Sequence, residues 1–152
     1  MSISNLIKFA PEVSGTKPWK NLSLQDAIIV IAMYAAQMEM GAKNEEKAGR
    51  IAGLVKKHPL FSDETDDVVA RIFRLADWPG MRDLPKAVDQ AAKSLTLKLR
   101  QAAYELAAEL AVENGNLPDD KQGLLEQIRT KLLIDAHTAD SIVNDAVEKS
   151  KG

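Results

Sequence analysis

The chain contains no cysteine, so disulfides, thiolate nucleophiles and cysteine-ligated zinc are excluded. Histidine is nearly as scarce. His58 and His137 are the only two in 152 residues, and no H-E-x-x-H spacing pairs them on a helix face. Aromatic residues make up 5% of the chain, and six prolines and eight glycines punctuate it sparsely. Few aromatics, few breakers and an apolar set dominated by Ala, Leu, Ile and Val favour helices over strands. Neither sign of charge prevails: 20 Lys and Arg against 22 Asp and Glu leave a net charge of -2. The basic stripe of a nucleic-acid binder is missing. No apolar run reaches the roughly 20 residues needed to span a bilayer. No G-x-S-x-G, P-loop or G-x-G-x-x-G sequence occurs, and nothing assembles a nucleophile, a base and an oxyanion donor. Residues 1–10 carry neither the basic n-region nor the long apolar stretch of a secretory signal, so a cytoplasmic, non-enzymatic protein is expected.

What the chain does have is apolar residues, 45% of the total, gathered in two stretches. Residues 24–41, LQDAIIVIAMYAAQMEMG, carry no charge and no strong helix breaker from Ala27 to Ala36. A helix apolar all round must be buried. This one reads as the centre of the domain, N-capped by Ser23 and closed by Gly41. Residues 98–115, KLRQAAYELAAELAVENG, repeat the theme, with Ser94 or Thr96 as cap and Gly115 as stop. Ala32, Ala35 and Ala36 in the first, and Ala103, Ala107 and Ala111 in the second, would let the two backbones approach closely.

The remaining elements follow from caps and spacing. A short helix over 1–10 ends at Pro11, and Trp19 packs back from an irregular connection. Asn44 caps a helix with Ile51, Leu54 and Val55 inward, stopped at His58-Pro59. Ser62 or Asp63 caps the next, with Val68, Val69, Ile72 and Phe73 inside, and residues 77–80 form a turn. Asp83 opens a short helix with Pro85 in its first turn. Pro118 opens another whose apolar stripe is Leu124, Leu125, Ile128, Leu132 and Leu133. The last starts at 135–138, turns Ile142, Val143, Ala146 and Val147 inward, and frays from 148. Gly49 and Gly53 share one helix, where they would permit close packing; Met33, Met38, Met40 and Met81 fill core gaps. The expectation is one all-α domain over 1–152, of seven to eight helices.

A shift of 74 residues lays the second half on the first without a gap. Glu39-Met40-Gly41 falls on Glu113-Asn114-Gly115, and Glu45-Glu46-Lys47 on Asp119-Asp120-Lys121. Gly49 meets Gly123, Lys57 meets Lys131, Asp66 meets Asp140 and Val69 meets Val143. The pattern predicts an internal duplication of a three-helix unit, with pseudo-repeats 23–77 and 96–150 about a pseudo-two-fold and the two long helices crossing at the centre.

Acids collect at the two corners. Glu39 and Glu113 are placed in the last turn of a long helix, where the backbone dipole disfavours a carboxylate. Each is followed by an acidic pair, Glu45-Glu46 or Asp119-Asp120, at a helix N-terminus, where acids belong. Glu105, Glu109 and Glu113 form one stripe of like charge at i, i+4 and i+8. Such placements invite a hard cation, Ca²⁺ or Mg²⁺, on carboxylates and the free carbonyls of a helix end. The candidate metal set is Glu39, Glu45, Glu46, Glu109, Glu113, Asp119 and Asp120. The bland reading is a solvated or partner-facing acidic surface, since exposed like charges cost only a few tenths of a kcal/mol.

At these corners the sequence resembles the TerB-like tellurite-resistance family. The residues that carry the resemblance are IVIAMYAAQMEMGAKNEEKAGRIAGLV (29–55) and AAYELAAELAVENGNLPDDKQGLLEQI (102–128). In that family an alanine-rich helix ends in an acid and a glycine, then a short turn leads to a helix opening with acids. The resemblance implies a duplicated all-helical fold and a cytosolic stress-response role without catalysis. It also implies divalent cations held on acidic surfaces and partners at a membrane. Glu45 and Glu46 match the family's acids, while Glu39 and Glu113 lie one residue before its Asp. Met40 and Asn114 stand where the family has that Asp, and Lys121 where a later Glu is common.

Two functions follow. The first is a TerB-like protein of tellurite resistance or metal stress, its acidic corners binding a divalent cation or a basic partner. The second is a helical interaction module, homodimeric or with another protein, with no metal site. Neither needs nucleic acid or insertion into a membrane.

Overall fold

The Ser23 hydroxyl accepts the N–H of Asp26 at 3.1 Å, and α1 (Leu24–Ala35) begins there. This cap is the first feature described in the structure, a computed structural model that covers residues 23–38, 45–58, 68–77 and 82–151. Every residue from Gln25 to Met33 is buried, as the uninterrupted apolar run requires. Each such Ile or Val contributes about 1.5–3 kcal/mol by leaving water. The helix is shorter than its sequence suggests. Ala36 is the C-cap and Gln37 turns left-handed at φ 58, so α1 stops well before Gly41.

Six further helices follow among the described residues: α2 (Glu45–Lys57), α3 (Val68–Ala76), α4 (Leu84–Lys93), α5 (Leu97–Ala111), α6 (Asp119–Leu132) and α7 (Ala136–Lys151). No strand occurs among them, and the described fold is all-α. The starts are set by side chains. Asp83 accepts the Lys86 N–H at the head of α4, with Pro85 in the first turn. Thr96 accepts that of Leu99 at 3.3 Å to start α5. Asp135 takes both the N–H and the hydroxyl of Thr138 to start α7, at 2.8 and 2.9 Å.

α1 packs most extensively on α4 and α5 and also touches α2, α3 and α6. α5 in turn carries α7, α6 and α2. The two alanine-rich helices therefore lie together in the middle. Ala32, Ala35, Ala103, Ala107 and Ala111 are all fully buried, and Ala36 is half-buried.

Three more expectations change. Leu133 is 75% exposed rather than on the inner stripe of α6. It is the C-cap, and its left-handed backbone at φ 57 turns the side chain away from the core. α7 does not fray from 148 but continues to Lys151, and the Ser150 hydroxyl accepts the Gly115 N–H at 2.7 Å. Gly49 and Gly53 do not serve close packing among the described residues, since a Cβ built at either meets no described atom within 4 Å. The helix over 1–10, Trp19, the Asn44 and Ser62 or Asp63 caps, Met40, Met81 and the turn beyond Asp77 lie outside the described residues.

Candidate functional site: the helix ends at the acidic corners

Glu39 lies outside the described residues, as does Gly41. The second corner is fully described, and it differs from the sequence reading. α5 ends at Ala111, and Val112 is already extended. Glu113 is therefore not in the last turn of the helix. It is exposed, and its backbone pairs with that of Asn116, the N–H donating at 2.7 Å and the carbonyl accepting at 2.9 Å. Asn114 at φ 50 and Gly115 at φ 78 close this tight reversal. The stripe of three acids is thereby reduced to Glu105 and Glu109.

The carbonyls at this helix end are met by the protein's own basic side chains. Arg50, from α2, donates through Nη2 to the backbone carbonyls of Glu109 at 2.9 Å and Val112 at 3.4 Å. Those carbonyls are among the ones a helix leaves without partners at its C-terminus. The carboxylate of Glu109 pairs with Lys149 of α7 at 3.4 Å. Glu105 pairs with His58 at 2.8 Å. A surface cleft of about 350 Å³ runs along this line, between Glu105 and Glu109 of α5 and Asp145 and Lys149 of α7.

The end of α1 is treated the same way. Lys47 donates to the Gln37 backbone carbonyl at 3.2 Å, and Lys121 to the Gln37 side-chain carbonyl at 2.6 Å. Lys47 and Lys121 occupy the same place in the two halves of the sequence. Positive charge at a helix C-terminus is favoured by the dipole. α6 repeats the device with Arg100, which reaches the Leu132 carbonyl at 3.2 Å and the Leu95 carbonyl at 3.1 Å.

Of the proposed acids, Glu45 and Glu46 are exposed in the first turn of α2, and Asp119 and Asp120 are exposed in the first turn of α6. Pro118 caps α6 without a side-chain hydrogen bond, so the two aspartates complement bare N–H groups. Glu109 is instead paired with Lys149. No group of three or more His, Asp or Glu side chains among the described residues is placed to hold a metal ion. The basic residues were missed in the sequence because their acceptors are far along the chain. The only signal was Lys47 falling on Lys121 in the repeat. Among the described residues no helix is long and apolar enough to cross a membrane. No protein-family model, curated protein or solved structure matches the chain.

Proposed function

We propose that this chain is a non-enzymatic, TerB-like helical protein of the tellurite-resistance or metal-stress type. It works in the cytoplasm by holding a basic protein partner, at a membrane or in solution, on its acidic corners. It is built as a duplicated three-helix unit, residues 23–77 and 96–150. The kinship and the duplication rest on the two corner sequences and on the 74-residue offset that lays one on the other.

Of the two ligands an acidic corner suits, the basic partner is favoured over the divalent cation. The observation that carries this choice is Arg50, whose guanidinium occupies the carbonyl end of α5 that a metal would otherwise use. Lys121 adds to it, since it stands where the family commonly has a Glu and is itself a cation bound to Gln37. The exposed pairs Glu45-Glu46 and Asp119-Asp120 remain to face a partner.

Calorimetric titration with Ca²⁺, Mg²⁺, Mn²⁺ and Zn²⁺ tests the choice. No saturable heat is expected with any of the four. Saturable heat that disappears in Glu113→Ala or Asp119→Ala would overturn it and restore the metal reading.

A further inference from the structure

α6 and α7 both pack on α5 but barely on each other. The gap between them is an open cleft. At its floor is Tyr104 of α5, a residue only 2% exposed. No side chain of the described residues hydrogen-bonds its hydroxyl. Leu125 and Val143 supply apolar walls, and Gly123 leaves the α6 side open, where a Cβ would meet no described atom within 4 Å.

Two carboxylates flank the phenol, Glu126 from α6 and Asp140 from α7. Burial, then the charge of Glu126 and that of Asp140, pushes the Tyr104 hydroxyl up to about 12, against the opposing pull of Arg129. The phenol is therefore neutral at pH 7, with an O–H to donate and a lone pair to accept. Glu126 is already engaged by Arg129, whose Nε donates to both carboxylate oxygens at 3.0 and 3.1 Å. Asp140 makes no close salt bridge among the described residues, and the same Arg129 guanidinium feels its charge from farther off. One guanidinium against two carboxylates leaves the cleft net negative, beside a phenol oxygen with no hydrogen-bond partner among the described residues and over an apolar wall. An anion is repelled there. A compact ammonium with three N–H donors can serve the phenol oxygen and the Asp140 carboxylate together.

We propose that this cleft binds a primary ammonium group on a short apolar stem, seated between the Tyr104 hydroxyl and the Asp140 carboxylate with the stem against Leu125 and Val143. The site is separate from the exposed acidic pairs and stands or falls without them. The same chemistry is offered by a free alkylamine and by a lysine side chain.

The test is a titration of the ¹⁵N-labelled full chain, followed by amide shifts. The probes are n-butylamine, Nα-acetyl-lysine methylamide and, as neutral counterpart, n-butanol. Saturable shifts confined to α6 and α7 around Gly123 and Asp140 are expected with at least one amine and not with the alcohol, with dissociation constants on the order of millimolar. Tyr104→Phe and Asp140→Asn should each weaken binding by about fivefold, with the remaining spectrum unchanged as proof of fold. The tighter of the two amines identifies the source, a free amine or a lysine of a protein. Absence of saturable shifts with both amines, an equal response to n-butanol, or undiminished binding in Asp140→Asn would overturn the proposal.

Discussion

The Arg50 guanidinium lies 2.9 Å from the backbone carbonyl of Glu109, joining the middle of α2 to the last turn of α5. A helix C-terminus carries partial negative charge on unpaired carbonyls. A fixed cation there both satisfies an acceptor and opposes the dipole. Arg50→Ala removes both effects and should lower stability by about 1 kcal/mol. Arg50→Lys keeps the charge and should recover part of the loss. Denaturant midpoints of the three proteins check the order.

The reversal after α5 depends on Gly115. Its φ of 78 is left-handed, and a Cβ there would come within 2.6 Å of Lys151 Cγ. The lysine stem can swing aside, so backbone strain is the main cost. Gly115→Ala should destabilise by about 1 kcal/mol. Gly123→Ala should do the opposite, because a Cβ there meets no described atom within 4 Å in mid-helix. It should gain about 0.5–1 kcal/mol from helix propensity. Opposite shifts in thermal midpoint are the expected result.

Leu133 is strained for a similar reason. It holds φ 57 at the α6 C-cap while 75% exposed, so its side chain gives little burial in return. Leu133→Gly should raise stability by about 0.5–1 kcal/mol. A lower urea midpoint than the unaltered chain would contradict this.

Two carboxylates make the stability depend on pH in opposite directions. Burial pushes Asp26 above its ordinary value of 3.8, more than Arg71, Arg74 and the Ser23 hydrogen bond pull it down. Its folded form prefers the proton, so its contribution is favourable below the unfolded pKa and is lost as pH rises through the folded one. Asp26→Asn should therefore raise stability at pH 7 and flatten the profile just above 3.8. Asp135 is lowered from 3.8 by the Thr138 backbone and side-chain hydrogen bonds. Its contribution is present above the unfolded pKa and is lost as pH falls through the folded one. Asp135→Asn should flatten the profile only on the acid side. Urea midpoints from about pH 3 to about pH 7 separate the two.

The helices were readable where local chemistry decides them. Ser23, Asp83 and Thr96 cap as their side chains dictate, and the charge-free run from Ala27 marked the centre because no helix face was left for water. Periodicity alone put Leu133 inside, since it does not register a left-handed cap. It also carried α1 and α5 too far, because Gly41 and Gly115 lie beyond residues whose backbones have already left the helix. The acids at the corners were legible as a pattern. Their answers were not. Arg50 meets a carbonyl 59 residues away and Lys121 an amide 84 residues away, and only the packing of α2 and α6 on the long helices brings them there. Tyr104 was likewise hidden, one aromatic in an alanine-rich stretch until α6 and α7 opened above it.

The most direct measurement is the fluorescence anisotropy of a labelled octalysine peptide titrated with the full chain in the presence of EDTA. Comparison is with the double variant Asp119→Lys, Asp120→Lys. If the helix ends are neutralised from within and the exposed acids serve a basic partner, the peptide binds without any divalent cation. That binding weakens as salt rises and is weaker in the double variant, which keeps only the Glu45-Glu46 pair. Binding that appears only when Ca²⁺ or Mg²⁺ replaces the chelator, or that is unchanged in the double variant, would contradict it.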